Sequence, residues 1–379
     1  MYNRLQNFEG IGNESAFLWG ARQTGKSTLL KKLYPNSIYF DLLLSEVFER
    51  FSRNLGQLRE IVLADSNNKL VIIDEIQRIP RLLNEVHWLI VNKGIQFILS
   101  GSSPRKIIHS GENLLGGRAL RYELYPLIYK EIPDFDLVRA INHGLIPRHY
   151  IVKNPKKLLS AYIGNYLQDE IIAEARIRNI SAFTNFLESA AFSNAEIVNY
   201  TNIATDCGVK SPTVKEYFNI LETTLIGRFV PSYQKRPKRR VIQAPKFYFF
   251  DTGIANYLAK NRSLTFGNEA FGKSFEHFIY LELYAYSKYS AKEFSISYWR
   301  TASQIEIDFV LGDNEIAIEV KAAKNIVPRH LAGLKSFMEE YKVKSSILIS
   351  NDIYNRRIGD IDVMPWKNFL DKLWAGDII

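Results

Sequence analysis

The feature that most constrains this chain is the eight-residue segment GARQTGKS, which fits the spacing G-x-x-x-x-G-K-[ST] with Gly20, Gly25, Lys26 and Ser27. It follows the apolar run FLW and precedes an amphipathic stretch, which is the strand-turn-helix context that a phosphate-binding loop requires. Glycines let backbone N–H groups approach a phosphate without Cβ clashes, and a helix start adds a favourable dipole. The segment therefore predicts a nucleoside triphosphate site.

Two side chains of this loop are expected to act on a bound triphosphate. Lys26 would reach its β- and γ-phosphates, and the Ser27 hydroxyl would be a ligand of Mg²⁺. ATP and Mg²⁺ are therefore the expected cofactors, although the loop alone does not distinguish ATP from GTP. The residues expected to bind the nucleotide are Gly20, Ala21, Arg22, Gln23, Thr24, Gly25, Lys26, Ser27 and Thr28.

A second motif, KLVIIDEIQ, places Asp74 and Glu75 directly after four apolar residues. Parallel sheets bind ligands at the carboxyl ends of their strands, so both carboxylates are expected near the loop. Asp74 would hold Mg²⁺ and contact the nucleotide, and Glu75 would orient or deprotonate the attacking water. A carboxylate that activates water favours hydrolysis over binding alone.

The next apolar run, IQFILSGSS, ends in small polar residues at the same edge of the sheet. Ser102 or Ser103 would contact the γ-phosphate or the attacking water, or would only begin a helix. Three arginines lie beyond it: Arg105, Arg118 and Arg121. Arg118 follows two glycines and would either reach a neighbouring subunit as a catalytic, charge-stabilising finger or face water. The finger hypothesis requires a homo-oligomer.

Short apolar runs alternate with longer amphipathic stretches from residue 15 to about 125. SAFLWG, SIYFDLLL, KLVIIDE, IQFILSGS and LRYELY predict strands, and stretches such as RLLNEVHWLIVNKG predict helices. This alternation predicts an α/β fold with a parallel sheet covered on both faces. We expect a P-loop ATPase domain at 1–137, a helical and winged helix-turn-helix domain at 138–262, and a second α/β domain at 263–379.

Several motifs together resemble a prokaryotic family of AAA-type P-loop ATPases whose members carry a C-terminal domain of unknown function. The resemblance rests on GARQTGKSTLL, VIIDEIQRIPRLL, ILSGSS and GGRALRYELYPL, and further along on KFYFFDTGIANYL, FGKSFEHFIYLEL and YWRTASQIEIDFVL. It covers essentially the whole chain. It implies a nucleotide-dependent machine and leaves its cellular task open.

The spacing of apolar and turn residues in the middle of the chain is typical of a helix-turn-helix. The segment is NAEIVNYTNIATDCGVKSPTVKEYFNILETTLIG. We expect one helix at Ile197, a second at Ile203, a turn at Gly208, and a third helix beginning at Ser211. A strand-like KFYFF follows a basic run that would form a wing hairpin. Such units bind DNA, but they serve equally as protein contact modules or as a lid over a nucleotide.

The third helix would turn Val214, Phe218 and Leu221 to the core. Its exposed face would then contact DNA, and the basic run would contact phosphates. The candidate residues are Lys210, Thr213, Lys215 and Tyr217 on the helix, and Lys235, Arg236, Lys238, Arg239 and Arg240 in the wing.

The C-terminal segment QIEIDFVLGDNEIAIEVKAAK contains Asp308, Glu319 and Lys321. Strand alternation puts Glu319 and Lys321 on one face and brings Asp308 beside them across a turn at GDNE. Two carboxylates can bind a divalent cation, and a lysine can position water for phosphodiester cleavage. With Glu276 from the preceding helix, the expected metal ligands here are Glu276, Asp308 and Glu319.

This arrangement resembles the PD-(D/E)xK nuclease core, with Ile307 at the position of that pattern's proline. The resemblance implies a restriction-endonuclease-like fold with Asp308, Glu319 and Lys321 as catalytic residues. The alternative is an ordinary ion pair between Glu319 and Lys321 on a solvated sheet face.

The composition of the chain limits which kinds of binding partner and cofactor are expected. A formal net charge of +9 makes a polyanion a plausible partner, and a single cysteine, Cys207, excludes a disulfide framework and a cysteine-rich zinc module. No signal sequence or membrane span is recognisable, so we expect a cytoplasmic protein without a membrane partner. One hypothesis is an ATPase that controls DNA engagement, with metal-dependent cleavage as an output. The other is a nucleotide-gated switch or scaffold that binds a protein partner and has a silent nuclease-like domain.

Overall fold

The computed structural model describes residues 2–8, 10–65, 70–109, 115–170, 172, 177, 179–235 and 241–379, with the backbone alone at 109, 165 and 168–170. The chain divides into two compact units. The first contains residues 1–127 and 223–226, and the second contains residues 128–222 and 227–379. Among the described residues, no helix combines the length and apolar character needed to cross a bilayer.

The first unit is built on a five-stranded parallel sheet. Its strands are β1 (Ser15–Trp19), β2 (Ile38–Asp41), β3 (Leu70–Asp74), β4 (Gln96–Gly101) and β5 (Ala119–Glu123), in the order β2-β3-β4-β1-β5. The five strands and their parallel arrangement confirm the sequence prediction. The helices are Lys26–Leu33, Ser45–Arg53, Gln57–Ala64, Leu82–Lys93 and Arg105–His109, with 3-10 turns at Ile76–Arg78 and Leu115–Gly117.

Both faces of this sheet are buried, because alternate residues of each central strand enter different cores. In β3, Val71 and Ile73 belong to one apolar cluster and Ile72 to another. In β1, Phe17 and Leu18 are divided in the same way. This burial explains why the strands read as continuous apolar runs.

The second unit begins with helices. These are a 3-10 turn at Tyr129–Glu131, the α-helices Leu137–His143, Pro147–Ile151 and Lys156–Ala161, a π-helix Tyr162–Glu170, and the α-helices Ile180–Phe192, Tyr200–Cys207, Ser211–Thr223 and Thr252–Leu258. A two-stranded antiparallel sheet of β6 (Gly227–Val230) and β7 (Lys246–Phe249) stands before the last of these.

The predicted helix at Ile197 is wrong. Ile197 instead forms an antiparallel bridge with Lys246, and the flanking amides of Ala195 and Val198 donate to the carbonyls of Phe247 and Pro245, both at 2.9 Å. Pairing with β7 thus takes the place of the predicted helix at Ile197. The predicted turn is confirmed, since Gly208 ends the preceding helix with φ 64°.

The remainder of the second unit is a six-stranded mixed sheet in the order β12-β13-β11-β10-β9-β8. The strands are β8 (Ile296–Arg300), β9 (Glu306–Leu311), β10 (Ile316–Lys321), β11 (Ser345–Ser350), β12 (Arg356–Ile358) and β13 (Ile361–Pro365). The helices are Glu269–Tyr289, Ala332–Glu340 and Trp366–Ala375, with a 3-10 turn at Pro328–Leu331. The three predicted strands, β8 to β10, are all present.

Candidate functional site

The phosphate-binding loop joins β1 to the Lys26–Leu33 helix, as its sequence predicts. Gly20 begins the loop beneath Leu124, and a Cβ added at Gly20 would lie 2.4 Å from the Leu124 carbonyl oxygen. Gly25 has φ 99°, a left-handed conformation that side chains disfavour. Gly20 is therefore required because the Leu124 backbone lies too close for a side chain, and Gly25 because its backbone is left-handed.

Lys26 is folded back into this loop and is only 5% exposed. Its Nζ atom donates to the carbonyl oxygens of Gly20, at 2.7 Å, and Ala21, at 3.2 Å. Burial lowers the pKa of Lys26, while the negative charges of Glu75 and Asp74 oppose that shift. The ammonium group thus lies at the centre of the loop, beside both acidic residues of the second motif.

The other loop residues differ in accessibility. Ala21 and Thr24 are buried, and the Thr24 hydroxyl donates to the Ala21 carbonyl at 2.9 Å. Gln23 and Thr28 are exposed, while Arg22, Gly25 and Ser27 are partly buried. No side chain caps the start of the Lys26–Leu33 helix, so its first amides are not engaged by a cap.

Asp74 lies at the end of β3 and receives donors from both neighbouring strands. The Tyr39 hydroxyl on β2 donates to Oδ2 at 2.6 Å, and the Ser100 hydroxyl on β4 donates to Oδ1. The Tyr39 hydroxyl also has Ser27 as a hydrogen-bond neighbour. Burial, followed by the hydrogen bond to Asp74, raises the pKa of Tyr39. Sequence reasoning missed both Tyr39 and Ser100.

Glu75 adopts a left-handed backbone conformation, with φ 59° and ψ 42°, which costs a residue other than glycine about 1 kcal/mol or more. The Gln77 amide nitrogen donates to Oε2 of Glu75 and, at 3.1 Å, to the Ser102 hydroxyl. Gln77, which sequence reasoning also missed, therefore fixes the carboxylate proposed to activate water. Its position two residues after Glu75 in DEIQ was the available signal.

The donor set at this edge of the sheet fits Mg²⁺. Asp74 supplies a carboxylate and Ser27 a hydroxyl, and hard divalent cations prefer such oxygen ligands while keeping several waters. The Tyr39 hydroxyl, which neighbours both residues, brings them within one small region. Within the described parts of the chain, no group of three or more His, Cys, Asp or Glu residues forms a metal site. A site with one carboxylate would depend on the nucleotide's own phosphates.

The arginines after β4 differ in exposure. Arg105 is buried, with its Nη1 atom 2.8 Å from the Thr223 hydroxyl, so it is held within the first unit. Arg118 and Arg121 are exposed. Arg118 follows the left-handed Gly116 and Gly117, and its side chain is accessible to a partner.

The predicted DNA-binding helix presents Lys210 and Lys215 to solvent, with Thr213 partly buried between them. Lys215 lies over the Tyr200 ring, 5.3 Å from its centroid. The expectation that Tyr217 is exposed is wrong: it is buried, with its ring centroid 5.1 Å from that of Phe183.

The inner face of this helix packs on the two-stranded sheet. Phe218, fully buried, lies 4.8 Å from Phe247 and 5.5 Å from Phe229 between ring centroids. Val214 and Leu221 are fully buried as well, which confirms the predicted core face. Lys235 forms an exposed ion pair with Asp313. The other wing candidates, Arg236, Lys238, Arg239 and Arg240, lie outside the described residues.

The C-terminal candidates converge at the β9–β10 pair. Oδ2 of Asp308 accepts the Val320 amide at 2.7 Å, and Oε1 of Glu319 pairs with the Lys321 ammonium. Burial, and then the charge of Asp308, raises the pKa of Glu319, and Oε2 of Glu319 is buried with no hydrogen-bond partner among the described residues. The face is thus closed rather than solvated as in an ordinary surface ion pair.

Glu276 joins these residues from the Glu269–Tyr289 helix. Its Oε1 atom accepts from Lys246 Nζ at 2.8 Å and from the Tyr248 hydroxyl at 2.6 Å. Burial, partly offset by Lys246, raises the pKa of Glu276 to about 7. Each of the three predicted metal ligands therefore has an oxygen engaged by a protein donor. The donor set does not fit a divalent cation in this arrangement.

Models of protein families match three parts of the chain. Residues 12–133 match the family of AAA domains, residues 134–265 match a domain of unknown function (DUF8612), and residues 271–369 match another domain of unknown function (DUF4143).

Two relatives match most of the chain. An uncharacterized protein of Haemophilus influenzae is 22% identical over 91% of this chain and 91% of its own length. An uncharacterized protein of Methanocaldococcus jannaschii is 22% identical over 84% of this chain and 77% of its own length. A solved structure, the Walker-type ATPase of Pyrococcus abyssi, covers 66% of this chain and 92% of its own, with 15% identity and a TM-score of 0.42. Together with the loop geometry, the match at 12–133 supports a P-loop domain of the AAA type in this part of the chain.

Proposed function

We propose that the chain is a Mg²⁺-dependent ATPase whose nucleotide state controls how the rest of the chain engages DNA. The observation that supports hydrolysis most directly is the convergence of three side chains at one sheet edge. The Lys26 ammonium lies in the loop, Asp74 ends β3, and Glu75 is held by Gln77 directly beyond it.

Each side chain would have a separate role in the reaction. Lys26 would donate to the β- and γ-phosphates in place of the loop carbonyls that it contacts here, while Ser27 and Asp74 would hold Mg²⁺. When bound, Mg²⁺ supplies positive charge that offsets the charge of the triphosphate. Glu75 would accept a proton from the attacking water, and Gln77 and Ser102 would keep its carboxylate oriented.

Steady-state turnover of ATP by purified variants tests this assignment. Lys26→Ala is expected to lose nucleotide binding and turnover together, whereas Glu75→Gln should bind ATP normally and turn it over at least about 100-fold more slowly. Lys32→Ala, on the exposed side of the same helix, is the matched control. A Lys26→Ala protein that turns over ATP at the parental rate would refute the proposal.

Within this proposal, the middle region binds DNA as a winged helix-turn-helix. Two exposed lysines support this: Lys210 lies just before the Ser211–Thr223 helix, and Lys215 lies within it. The two-stranded sheet packed against this helix supports it as well. A basic sequence joins the strands of that sheet, as a wing would require. Helix-turn-helix units place such a helix in the major groove.

The salt dependence of duplex binding tests this interface. Each lost phosphate contact should lower the slope of log K against log salt by about 1, so Lys210→Gln/Lys215→Gln should reduce it by about 2. Lys260→Gln/Lys273→Gln is a control of equal charge, because these lysines are paired with Glu188 and Glu196 elsewhere in the unit. An unchanged slope in the double variant would reject DNA contact by this helix.

One observation favours the second hypothesis, a nucleotide-gated switch or scaffold that contacts a protein partner. The order helix-Glu, Asp, Glu-x-Lys supports a restriction-endonuclease-like fold, but Glu276 and Glu319 are engaged by lysines and Asp308 by a backbone amide. A silent nuclease-like domain fits this arrangement. Absence of both retardation and cleavage of labelled DNA, with ATP turnover intact, would favour the switch. A homo-oligomer is proposed on the exposed Arg118 alone, and mass measurements with ATP test it.

A further inference from the structure

A cleft of about 940 Å³ lies among the helices of the second unit, and we call it the helical cleft. Residues of four helices contribute to its lining: Leu137–His143, Lys156–Ala161, Ile180–Phe192 and Thr252–Leu258. The last of these helices packs on each of the other three, so the cleft belongs to one compact part of the fold. Its volume lies within the range of small-molecule sites, about 300–1,000 Å³.

Positive charge dominates the lining of the helical cleft. Its described residues include two carboxylates, Asp136 and Glu188, and five lysines or arginines. Oε2 of Glu188 is already paired with Nζ of Lys260 at 2.6 Å, and Oδ1 of Asp136 accepts the backbone amide of Arg139. The five cationic residues are Arg139, Lys153, Lys156, Lys260 and Arg262. Most of this positive charge is therefore not balanced within the cleft.

Three of these cations, Lys153, Lys156 and Arg262, form no ion pair with any residue in the described parts of the chain. All three are exposed, so their charged groups are accessible to a ligand. A cleft with charges of one sign and low-dielectric walls focuses their field and raises the local concentration of oppositely charged molecules. The arrangement therefore favours an anionic ligand over a neutral or cationic one.

The loop that carries Arg262 is held in place by asparagine side chains. Oδ1 of Asn142 accepts the Leu264 amide at 2.8 Å, and Nδ2 of Asn142 donates to the Leu264 carbonyl, also at 2.8 Å. On the other side of Arg262, Nδ2 of Asn261 donates to Oδ1 of Asn256 at 3.1 Å. Arg262 thus lies between two anchored residues, so less backbone entropy is lost when a ligand binds to it.

The remaining lining can accommodate the uncharged part of a small molecule. Leu159, Ile163 and Leu258 are buried apolar residues, and Ser160 brings a hydroxyl group to the same lining. A site for single-stranded nucleic acid would instead present several aromatic rings on which bases stack. Among the lining residues that the structure describes, Tyr257 is the only Phe, Tyr or Trp. The lining therefore favours a small molecule over a nucleic-acid strand.

We propose that the helical cleft binds a small molecule that carries two or more phosphate groups, separately from the nucleotide of the phosphate-binding loop. Lys153, Lys156 and Arg262 pair with the phosphates. Two phosphates match three unpaired cations better than one does, because a single phosphate ester carries a charge of about −1.5 to −2 at pH 7. The inference does not depend on ATP hydrolysis or on DNA binding, because these residues belong to neither proposed site.

Calorimetric titration of the full-length Lys26→Ala protein with pyrophosphate tests the proposal, because this background weakens phosphate binding at the loop. Pyrophosphate is expected to bind, and to bind more tightly than inorganic phosphate. Addition of Lys156→Gln/Arg262→Gln should weaken pyrophosphate binding at least about tenfold, since two charge-assisted contacts are lost. Arg329→Gln/Lys335→Gln, which removes the same charge at exposed positions outside the cleft, should leave it unchanged.

Two results overturn the inference: a Lys26→Ala protein that does not bind pyrophosphate, or binding that Lys156→Gln/Arg262→Gln leaves unchanged. A single-stranded oligonucleotide that binds through these two residues and is not displaced by pyrophosphate would also overturn it, and would assign the cleft to nucleic acid. Melting temperatures provide a second readout. Pyrophosphate should raise the melting temperature of Lys26→Ala and not that of the protein with the two further substitutions. Should that protein not fold, Lys156→Gln and Arg262→Gln are compared singly, and each should weaken binding.

Discussion

The hydroxyl of Tyr39 donates a hydrogen bond to Oδ2 of Asp74 at 2.6 Å, so the strand beside β3 engages the carboxylate proposed to hold Mg²⁺. The same hydroxyl has Ser27, the second proposed ligand, as a neighbour. The Tyr39 hydroxyl therefore neighbours both proposed ligands, and its hydrogen bond would compete with a bound cation for Asp74.

Replacement of Tyr39 by Phe should lower the Mg²⁺ concentration that gives half-maximal ATP turnover. The net free energy of one such hydrogen bond, about 0.5–1.5 kcal/mol, corresponds to roughly a twofold to tenfold change. Magnesium titrations at saturating ATP measure it, with Tyr34→Phe as the control. A higher Mg²⁺ requirement in Tyr39→Phe would mean that the hydroxyl orients Asp74 instead of competing with the cation.

Replacement of Gln77 by Leu should lower kcat and leave KM for ATP nearly unchanged. Leu cannot donate to Glu75 or Ser102, so the carboxylate loses its orientation while the phosphate loop is untouched. A loss of about 1–2 kcal/mol of transition-state stabilisation lowers kcat roughly fivefold to thirtyfold. Steady-state kinetics check this, with Gln57→Leu as the control. Equal changes in kcat and KM would place Gln77 in nucleotide binding instead.

Replacement of Gly20 by Ala should destabilise the first unit by about 2 kcal/mol or more and abolish ATP binding. The added methyl group would lie 2.4 Å from the Leu124 carbonyl oxygen. Leu124 follows β5 directly, and its amide donates to the carbonyl of Trp19 at the end of β1, so it cannot easily move away. Gly12→Ala is the contrast, because Gly12 has φ 49° and no atom within 4 Å of an added Cβ. Urea unfolding and ATP titration measure both effects, and equal behaviour of the two variants would contradict the argument.

Stability should fall as the pH is lowered from 6.5 to about 4, in part because of His149. Burial lowers the pKa of His149 from 6.5 to about 4 in the folded chain. The unfolded chain therefore binds the proton first as pH falls, which favours unfolding by at most about 3 kcal/mol across this window. His149→Phe should remove this contribution, as measured by urea unfolding between pH 4 and 7. His87→Phe, at a partly exposed position, is the control substitution.

The sequence predicted the elements of the first unit well, because strands buried on both faces leave continuous apolar runs and the loop motif has few structural alternatives. It did not predict Tyr39 or Ser100 at Asp74. Those contacts arise from the strand order β2-β3-β4, which places one residue on either side of Asp74. Nothing in local periodicity specifies that order.

The second unit was harder to predict for a related reason. The segment around Ile197 was predicted to be helical, yet Ile197 forms a bridge with Lys246. A partner 49 positions away lies outside any local pattern. Tyr217 was predicted to be exposed because Val214, Phe218 and Leu221 were assigned to the core face, although its ring packs on Phe183. The sequence predicted a strand at Lys246 but gave no indication of its ion pairs. Only the folded chain brings Lys246 to Glu276 and Glu306.

Strand β7 carries a consequence for how the chain assembles. Its backbone pairs with β6 while the side chain of Lys246 neutralises acids on two other elements. A slip of one residue in the β6–β7 register would turn that lysine to the opposite side of the strand. Chains with the wrong register would then bury carboxylates without a counter-ion. The lysine thus makes the misregistered hairpin less stable than the correctly paired one.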